Sequence, residues 1–340
     1  MPKEYIHFRV AERAVDLLAS TRIGRELAPD RGRLRAALLL GAVFHDALYY
    51  LETPGRREPD SLLELPHLLH GKEGHDTHGL LRAQAAHAAA LRGSPDGPAA
   101  RAFLVGLAAH LSADVVLHPL VYHLSGDYFH EPEAVERHRL LESCLDLAVA
   151  GDRAELRRRR LNTLLRQCDP VRLAPLDFLA ALAGRDSRTT ARGMRRAWTV
   201  FGRMQALALS LPGAVLARLR PLLPRKARQP REIAALFYPS TSSVNSVLAF
   251  LGGSIAYRHP VTNEAHTATI RALMEQAALK TVRLCARLEP AVFGDADPAE
   301  VLGRGPGLDT GLDTNSEAPR QLQRSGPLLR HFARPRFPEI

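Results

Sequence analysis

The chain is poor in cysteine, lysine and aromatic residues. Its three cysteines, Cys144, Cys168 and Cys285, are few, widely spaced and odd in number, which excludes a disulfide framework and a cysteine-rich zinc site. One tryptophan and 6% aromatic residues leave no cluster placed for stacking nucleic-acid bases. Alternating β-branched runs are scarce, so strands are poorly supported. No run offers the roughly 18 consecutive apolar residues of a spanning helix. The opening Met-Pro-Lys-Glu-Tyr-Ile-His has no charged segment followed by an apolar one. A cytoplasmic location is the resulting expectation.

What is present is alanine, leucine and arginine, in a chain of 340 residues that is 46% hydrophobic and 24% charged. These residues favour helix, and the expected fold is all-α. The net charge of +10 comes almost wholly from arginine. Such a surface attracts nucleic acid, anionic lipid or phosphate esters without choosing among them. Periodicity predicts helices over 5–19, 32–50, 77–91, 99–117 and 132–150, with a Pro/Gly/His-rich loop over 51–76. Pro119 is expected to end or kink the fourth helix. Helices interrupted by proline are expected over 170–223, and a last long one over 262–288. Three regions follow: a core over 1–150, a helical extension over 151–293, and a disordered tail over 294–340, where Gly-Leu-Asp-Thr occurs twice in tandem.

Histidine is the anomaly. Twelve of the fifteen lie before residue 139. His110, Asp114 and His118 fall four residues apart, so on a helix they share one face. Their neighbours are apolar, and buried polar groups must find partners; a divalent metal satisfies two imidazoles and a carboxylate at once. His138 and Glu142 repeat the spacing beside Leu140, Leu141, Cys144 and Leu145. The plainer reading of that pair is a helix-surface contact worth a few tenths of a kcal/mol. Asp46 ends an apolar helix, an unfavourable place for an acid without a nearby cation. His67, His70, His75 and His78 crowd the next loop. The spacing alone implies a multinuclear metal site suited to hydrolysis.

These residues resemble the bacterial zinc-dependent phospholipase C family, whose fold is shared with fungal single-strand nucleases. The likeness rests on Ile6-His7 with Ala11 to Leu18, Gly41 to Tyr50, His70-Gly-Lys-Glu-Gly-His-Asp-Thr77, Phe103 to Tyr122, and His138 to Asp146. Tyr257-Arg-His-Pro-Val-Thr-Asn-Glu264 looks like a signature of cytoplasmic relatives that begin Met-Pro-Lys-Glu. The resemblance implies an all-helical domain holding two or three Zn²⁺. In it, His110 and Asp114 are paired ligands, with Asp114 bridging two metals. His118, His138 and Glu142 hold a separate zinc, and His7 is the first-helix ligand. His70 matches the loop ligand, with His67 and His75 as rivals, and Asp46 matches the general base.

Two departures bear on this. The secreted enzymes use an N-terminal tryptophan as ligand, whereas here the chain starts with Met and the one tryptophan is Trp198. The metal that uses His7 is therefore expected to be weak or absent. The step from Asp114 to His118 is also shorter than in those enzymes.

The leading expectation is cleavage of a phospholipid to diacylglycerol and a phosphorylated headgroup. Basic residues near 153–160 and 220–231 read first as solvated faces and second as a contact for an anionic membrane. The rivals are a nuclease or other phosphoesterase on the same scaffold, and a non-catalytic zinc-stabilised scaffold or lipid-binding protein.

Overall fold

The structure is a computed structural model that describes residues 3–313 apart from 28–31, 52–59, 129–130 and 225. It is all-α around one long central helix. In chain order the main elements are α1 (Glu4–Leu17), α2 (Arg33–Gly41), α3 (Phe44–Leu48), α4 (Gly79–Ala90), α5 (Gly97–Ser125), α6 (Pro132–Ala150), α7 (Ser187–Ala208) and α8 (Leu211–Leu219). A two-stranded hairpin, β1 (Ile255–Arg258) and β2 (Ala265–Ala268), precedes α9 (Ile270–Phe293).

Helix α5 is largely apolar and buried on every side, and α1, α2, α4, α6 and α9 pack around it. A helix hydrophobic all round belongs in a core. By length and composition α5 would also qualify as a membrane span, contrary to the expectation that no run does so; here the protein itself buries it. Pro119 neither ends nor divides it, because the helix runs on to Ser125. The packing around α5 overrides proline's local preference.

The predicted helix over 32–50 is two helices, α2 and α3, meeting at 68°. Their corner is fixed by a glycine contact. A Cβ on Gly106 would stand 2.1 Å from the Leu38 carbonyl oxygen, and one on Gly41 would stand 2.3 Å from that of Phe103. Backbone thus touches backbone where α2 crosses α5. Gly106→Ala is expected to destabilise the protein by about 1–3 kcal/mol, the usual cost of overpacking a core. Chemical denaturation of the metal-free form reads this directly.

Helix α1 is pinned from α6. Asp146 accepts hydrogen bonds from Tyr5 N and Ile6 N, both at 3.0 Å, and from the Tyr238 hydroxyl at 2.8 Å. The acid therefore satisfies first-turn amides that α1 cannot satisfy itself, one residue before His7. Burial, with Glu4 nearby, pushes the Asp146 carboxyl up to about 7. The folded state holds its proton more tightly than the unfolded one. The stability this confers is complete below about pH 4 and is lost as pH rises through about 7. Asp146→Asn should flatten that loss, which is about 1.4 kcal/mol per pH unit at its steepest; melting curves between pH 5 and 8 test it.

Two other expectations are corrected. The loop over 51–76 contains the short helices Asp60–Leu63 and Leu65–Leu69, the second ending at His70. The tail does not start at 294. Residues 294–313 form the short helix Pro298–Val301 and then a strap across α5, with Leu302 and Leu308 fully buried. Gly305 N donates to Asp76, the Thr77 hydroxyl to the Pro306 carbonyl, and Leu308 N to the His70 carbonyl. Two buried leucines and these bonds outweigh the polar, glycine-rich composition. Residues 314–340, the rest of the expected tail, lie outside the described residues.

The hairpin, which scarce β-branched residues did not suggest, is formed around the Tyr257–Glu264 segment. Its turn carries His259, whose Nδ1 accepts from Val261 N and Thr262 N while Nε2–H donates to Thr310 of the strap at 2.8 Å.

Candidate metal centre

Four segments converge on the middle of α5. Helix α1 contributes His7 and α3 contributes Asp46. His70 comes from the end of Leu65–Leu69, while α5 adds His110, Asp114 and His118. Helix α6 brings His138 and Glu142. The eight residues expected from sequence therefore stand together, all buried. Their donor atoms fall into three groups: His7, His110 and Asp114; Asp46, His70 and His110; and His118, His138 and Glu142. Of the rival loop histidines, His70 joins a group, while His67 lines the neighbouring cavity and His75 is exposed and joins none of the three.

Asp114 is the centre. Its Oδ2 lies 3.1 Å from His110 Nε2 and 3.6 Å from His70 Nε2. Its Oδ1 lies 3.5 Å from His7 Nε2 and 3.8 Å from His118 Nε2. One carboxylate thus faces two pairs of imidazoles, one pair per oxygen. Asp46 is 3.8 Å from both His7 Nε2 and His110 Nε2. On α6, His138 Nε2 and Glu142 Oε1 are 3.0 Å apart.

These separations discriminate between two explanations. A hydrogen bond to nitrogen wants about 2.7–3.2 Å. Two ligands on one tetrahedral zinc, each about 2.0–2.2 Å from it, stand roughly 3.3 Å apart. Five of these seven distances are too long for the first, and the 3.5 and 3.6 Å separations among them lie closest to the second. The unsatisfied atoms agree. His7 Nε2, His110 Nε2, His118 Nε2 and both Asp114 oxygens are buried and have no hydrogen-bond partner among the described residues. Leaving such groups unmet costs several kcal/mol.

The histidines are also aimed. His110 Nδ1–H donates to the Ala42 carbonyl at 2.9 Å, His118 Nδ1–H to Leu308 at 2.8 Å, and His70 Nδ1–H to Pro66 at 2.5 Å. A backbone carbonyl only accepts, so each ring is held as the tautomer whose Nε2 lone pair faces the centre, as metal-binding histidines generally are. Burial keeps His7 well below the ordinary imidazole range and brings His138 down to about 4, so both are neutral and able to ligate. Burial opposes ionisation of Asp114, yet His110 and His118 hold it well below the usual carboxylate range. Asp46 goes the other way, raised by burial and then by the negative charge of Asp114.

A cavity of about 620 Å³ opens onto this centre. Asp46, His70, His138 and Glu142 line one part of it. Tyr49, Tyr50, Tyr122, Tyr128 and Phe201 give an aromatic part, and Lys72 and Arg139 contribute positive charge.

Sequence reasoning missed three contributors. His45 is fully buried and stacks on His110 with ring centroids 4.4 Å apart, as His7 does on the other face at 4.2 Å. Leu308 orients His118 through its carbonyl, and Asp309 accepts from the Tyr122 hydroxyl at 2.8 Å and lines the cavity. The tandem Gly-Leu-Asp-Thr was the available signal for the last two: a repeated motif inside a segment otherwise biased in composition.

Residues 6–172 match the family model for zinc dependent phospholipase C, which spans the eight site residues. Searches of curated proteins and of solved structures give no significant match.

Proposed function

Since the chain belongs, through residues 6–172, to the zinc-dependent phospholipase C family, we propose that it hydrolyses the phosphodiester of a phospholipid, releasing diacylglycerol and a phosphorylated headgroup. The observation that carries this reading is the shared centre, in which one buried carboxylate is set among four imidazoles at 3.1–3.8 Å, three of them aimed by backbone carbonyls. His110 and His70, which both face Oδ2 of Asp114, would hold one zinc with it; His118, His138 and Glu142 would hold a second. His110 has a single Nε2 to give, because Nδ1 is engaged, so a third ion at His7 would lean on oxygens of Asp46 and Asp114 and bind less firmly. Bound zinc supplies a Lewis acid for a phosphoryl oxygen and lowers the pKa of water.

The protein's own residues do the rest. Asp46 borders the cavity with an Oδ1 that has no partner among the described residues, suited to accepting a proton from the attacking water. Its raised pKa makes it a stronger base toward that water once ionised. Lys72 and Arg139 offset negative charge on the phosphate, and the tyrosines with Phe201 receive the apolar part of the ester. The cavity gathers the aromatic cluster that the sequence did not suggest, and such rings beside cations suit stacked bases as well as the apolar part of a diester, so the assay on nucleic acid decides between the two substrates.

The test is metal analysis of the purified protein, followed by assay on phosphatidylcholine and on single-stranded DNA. Two to three zinc ions per chain and release of diacylglycerol are expected. Cleavage of DNA alone would replace the phospholipid with a nucleic-acid substrate. Zinc with no hydrolysis of either would leave a zinc-stabilised scaffold, and absence of zinc would end the proposal.

A further inference from the structure

Outside the family-matched region lies a surface of unusual composition. From Ser187 to Arg231 the chain carries eleven arginines and lysines and no acidic residue. Within it, α7 and α8 meet at 75°. Helix α8 packs inward through Gly213 and Ala217, the latter against a small core that includes Tyr5, Phe237 and Tyr238. Its other face is apolar and open. Leu211 is 75% exposed, Val215 56%, Leu219 44%, and Leu222, just beyond the helix end, 77%. Positions spaced by four, four and three form one stripe on a helix. Leu207 and Leu216 flank it, also exposed. The cations Arg203, Arg218, Lys226 and Arg228 are exposed around it.

This face is mounted firmly. Arg153 donates to the carbonyls of Ala208 and Ser210, and Arg157 to that of Leu209, so two guanidinium groups clasp the α7–α8 corner. At the far end, Arg220 and Arg231 both bond Glu136 of α6. A Cβ on Gly213 would stand 2.1 Å from the Leu207 carbonyl oxygen, so the corner has no slack. Some arginines of 153–160, expected from sequence to be solvated or to meet a membrane, thus serve internally. The leucines are held outward by the fold.

We propose that the exposed face of α8, with Leu222 and the cations around it, is the surface by which this protein enters the headgroup layer of an anionic lipid bilayer. The pattern is that of an interfacial helix: leucine and valine to enter the acyl boundary, arginine and lysine to meet lipid phosphates. Charge complementarity selects the partner. A second copy of the chain would set one acid-free cationic face against another in a two-fold contact, whereas an anionic membrane offers opposite charge across its whole extent. Phe201 of α7 and Leu236, a few residues past the cationic stretch, line the cavity, so docking here would bring lipid toward its mouth. The inference stands whatever ester the site cleaves.

The test uses full-length protein with vesicles of phosphatidylcholine, with and without phosphatidylglycerol, separated by sedimentation. Wild-type protein should bind the anionic vesicles, and the paired substitution Leu211→Asp with Leu222→Asp should weaken binding at least about tenfold, since each buried leucine is worth a factor of that order. Hydrolysis of a soluble, short-chain phosphodiester should stay unchanged, which also shows that the variant folds. Arg218→Glu with Arg228→Glu should remove the preference for anionic vesicles. Unaltered sedimentation of the leucine variant would overturn the proposal, as would its conversion of a dimer to a monomer in size-exclusion chromatography, which would assign the face to a second copy. Vesicle binding without any hydrolysis would overturn the proposed activity and leave this surface intact.

Discussion

Asp114→Asn should deprive the protein of zinc and of hydrolysis while leaving it folded. The carboxylate is the one group that faces His7, His118, His110 and His70 together, at 3.1–3.8 Å. Asparagine keeps the shape but turns one ligand oxygen into an amide NH₂ and removes the charge that offsets divalent ions. Loss of an outer-shell partner alone weakens metal binding by about 10–100-fold; loss of this central ligand is expected to exceed the upper figure. Hydrolysis should fall by at least about 10³-fold, the scale seen when a single electrostatic stabiliser is removed from an active site. The metal-free fold should survive, because the substitution also removes a buried charge. Zinc per chain by elemental analysis and a melt of the metal-free protein decide it. Wild-type zinc content in the variant would mean that Asp114 is not the shared ligand.

Asp46→Asn separates proton transfer from metal holding. Turnover is expected to fall by about 10²–10⁴, the usual worth of a positioned general base, with KM and zinc content close to wild type. Asp46 is equipped for this by its position at the cavity and by burial beside Asp114, which raises its affinity for a proton. It also belongs to a group of donor atoms with His70 and His110. If zinc is lost in step with turnover, its main work is ligation.

Much of this centre was legible because helical spacing is a strong code. His110, Asp114 and His118 had to share a face of α5, and His138 with Glu142 a face of α6, whatever their surroundings. The convergence of α1, α3 and the His70 turn on those faces was not in the spacing. It came from the resemblance, and geometrically it depends on the 68° corner and the Gly41–Gly106 contact. The part played by Leu308 was invisible because a backbone carbonyl has no letter of its own. His45 looked like a neighbour of Asp46, and only the fold stacks it on His110. The α8 leucines illustrate the converse. Helical periodicity says that one face is apolar; it does not say whether protein or something else covers that face.

The strap also sets an order of events. Its Leu308 carbonyl steers His118, a residue 190 positions earlier. A ribosome makes the eight residues of the centre well before it makes the residue that steers one of them, and N-terminal segments fold first during synthesis. The emerging chain thus passes through a stage in which α1, α5 and α6 can assemble but the ring of His118 is not yet fixed. On the proposed reading, an ion arriving at that stage would meet a looser set of donors. On the proposed zinc-binding reading, full metal retention would be acquired late, when the strap closes, and a late segment would act as the latch on a centre built by the first.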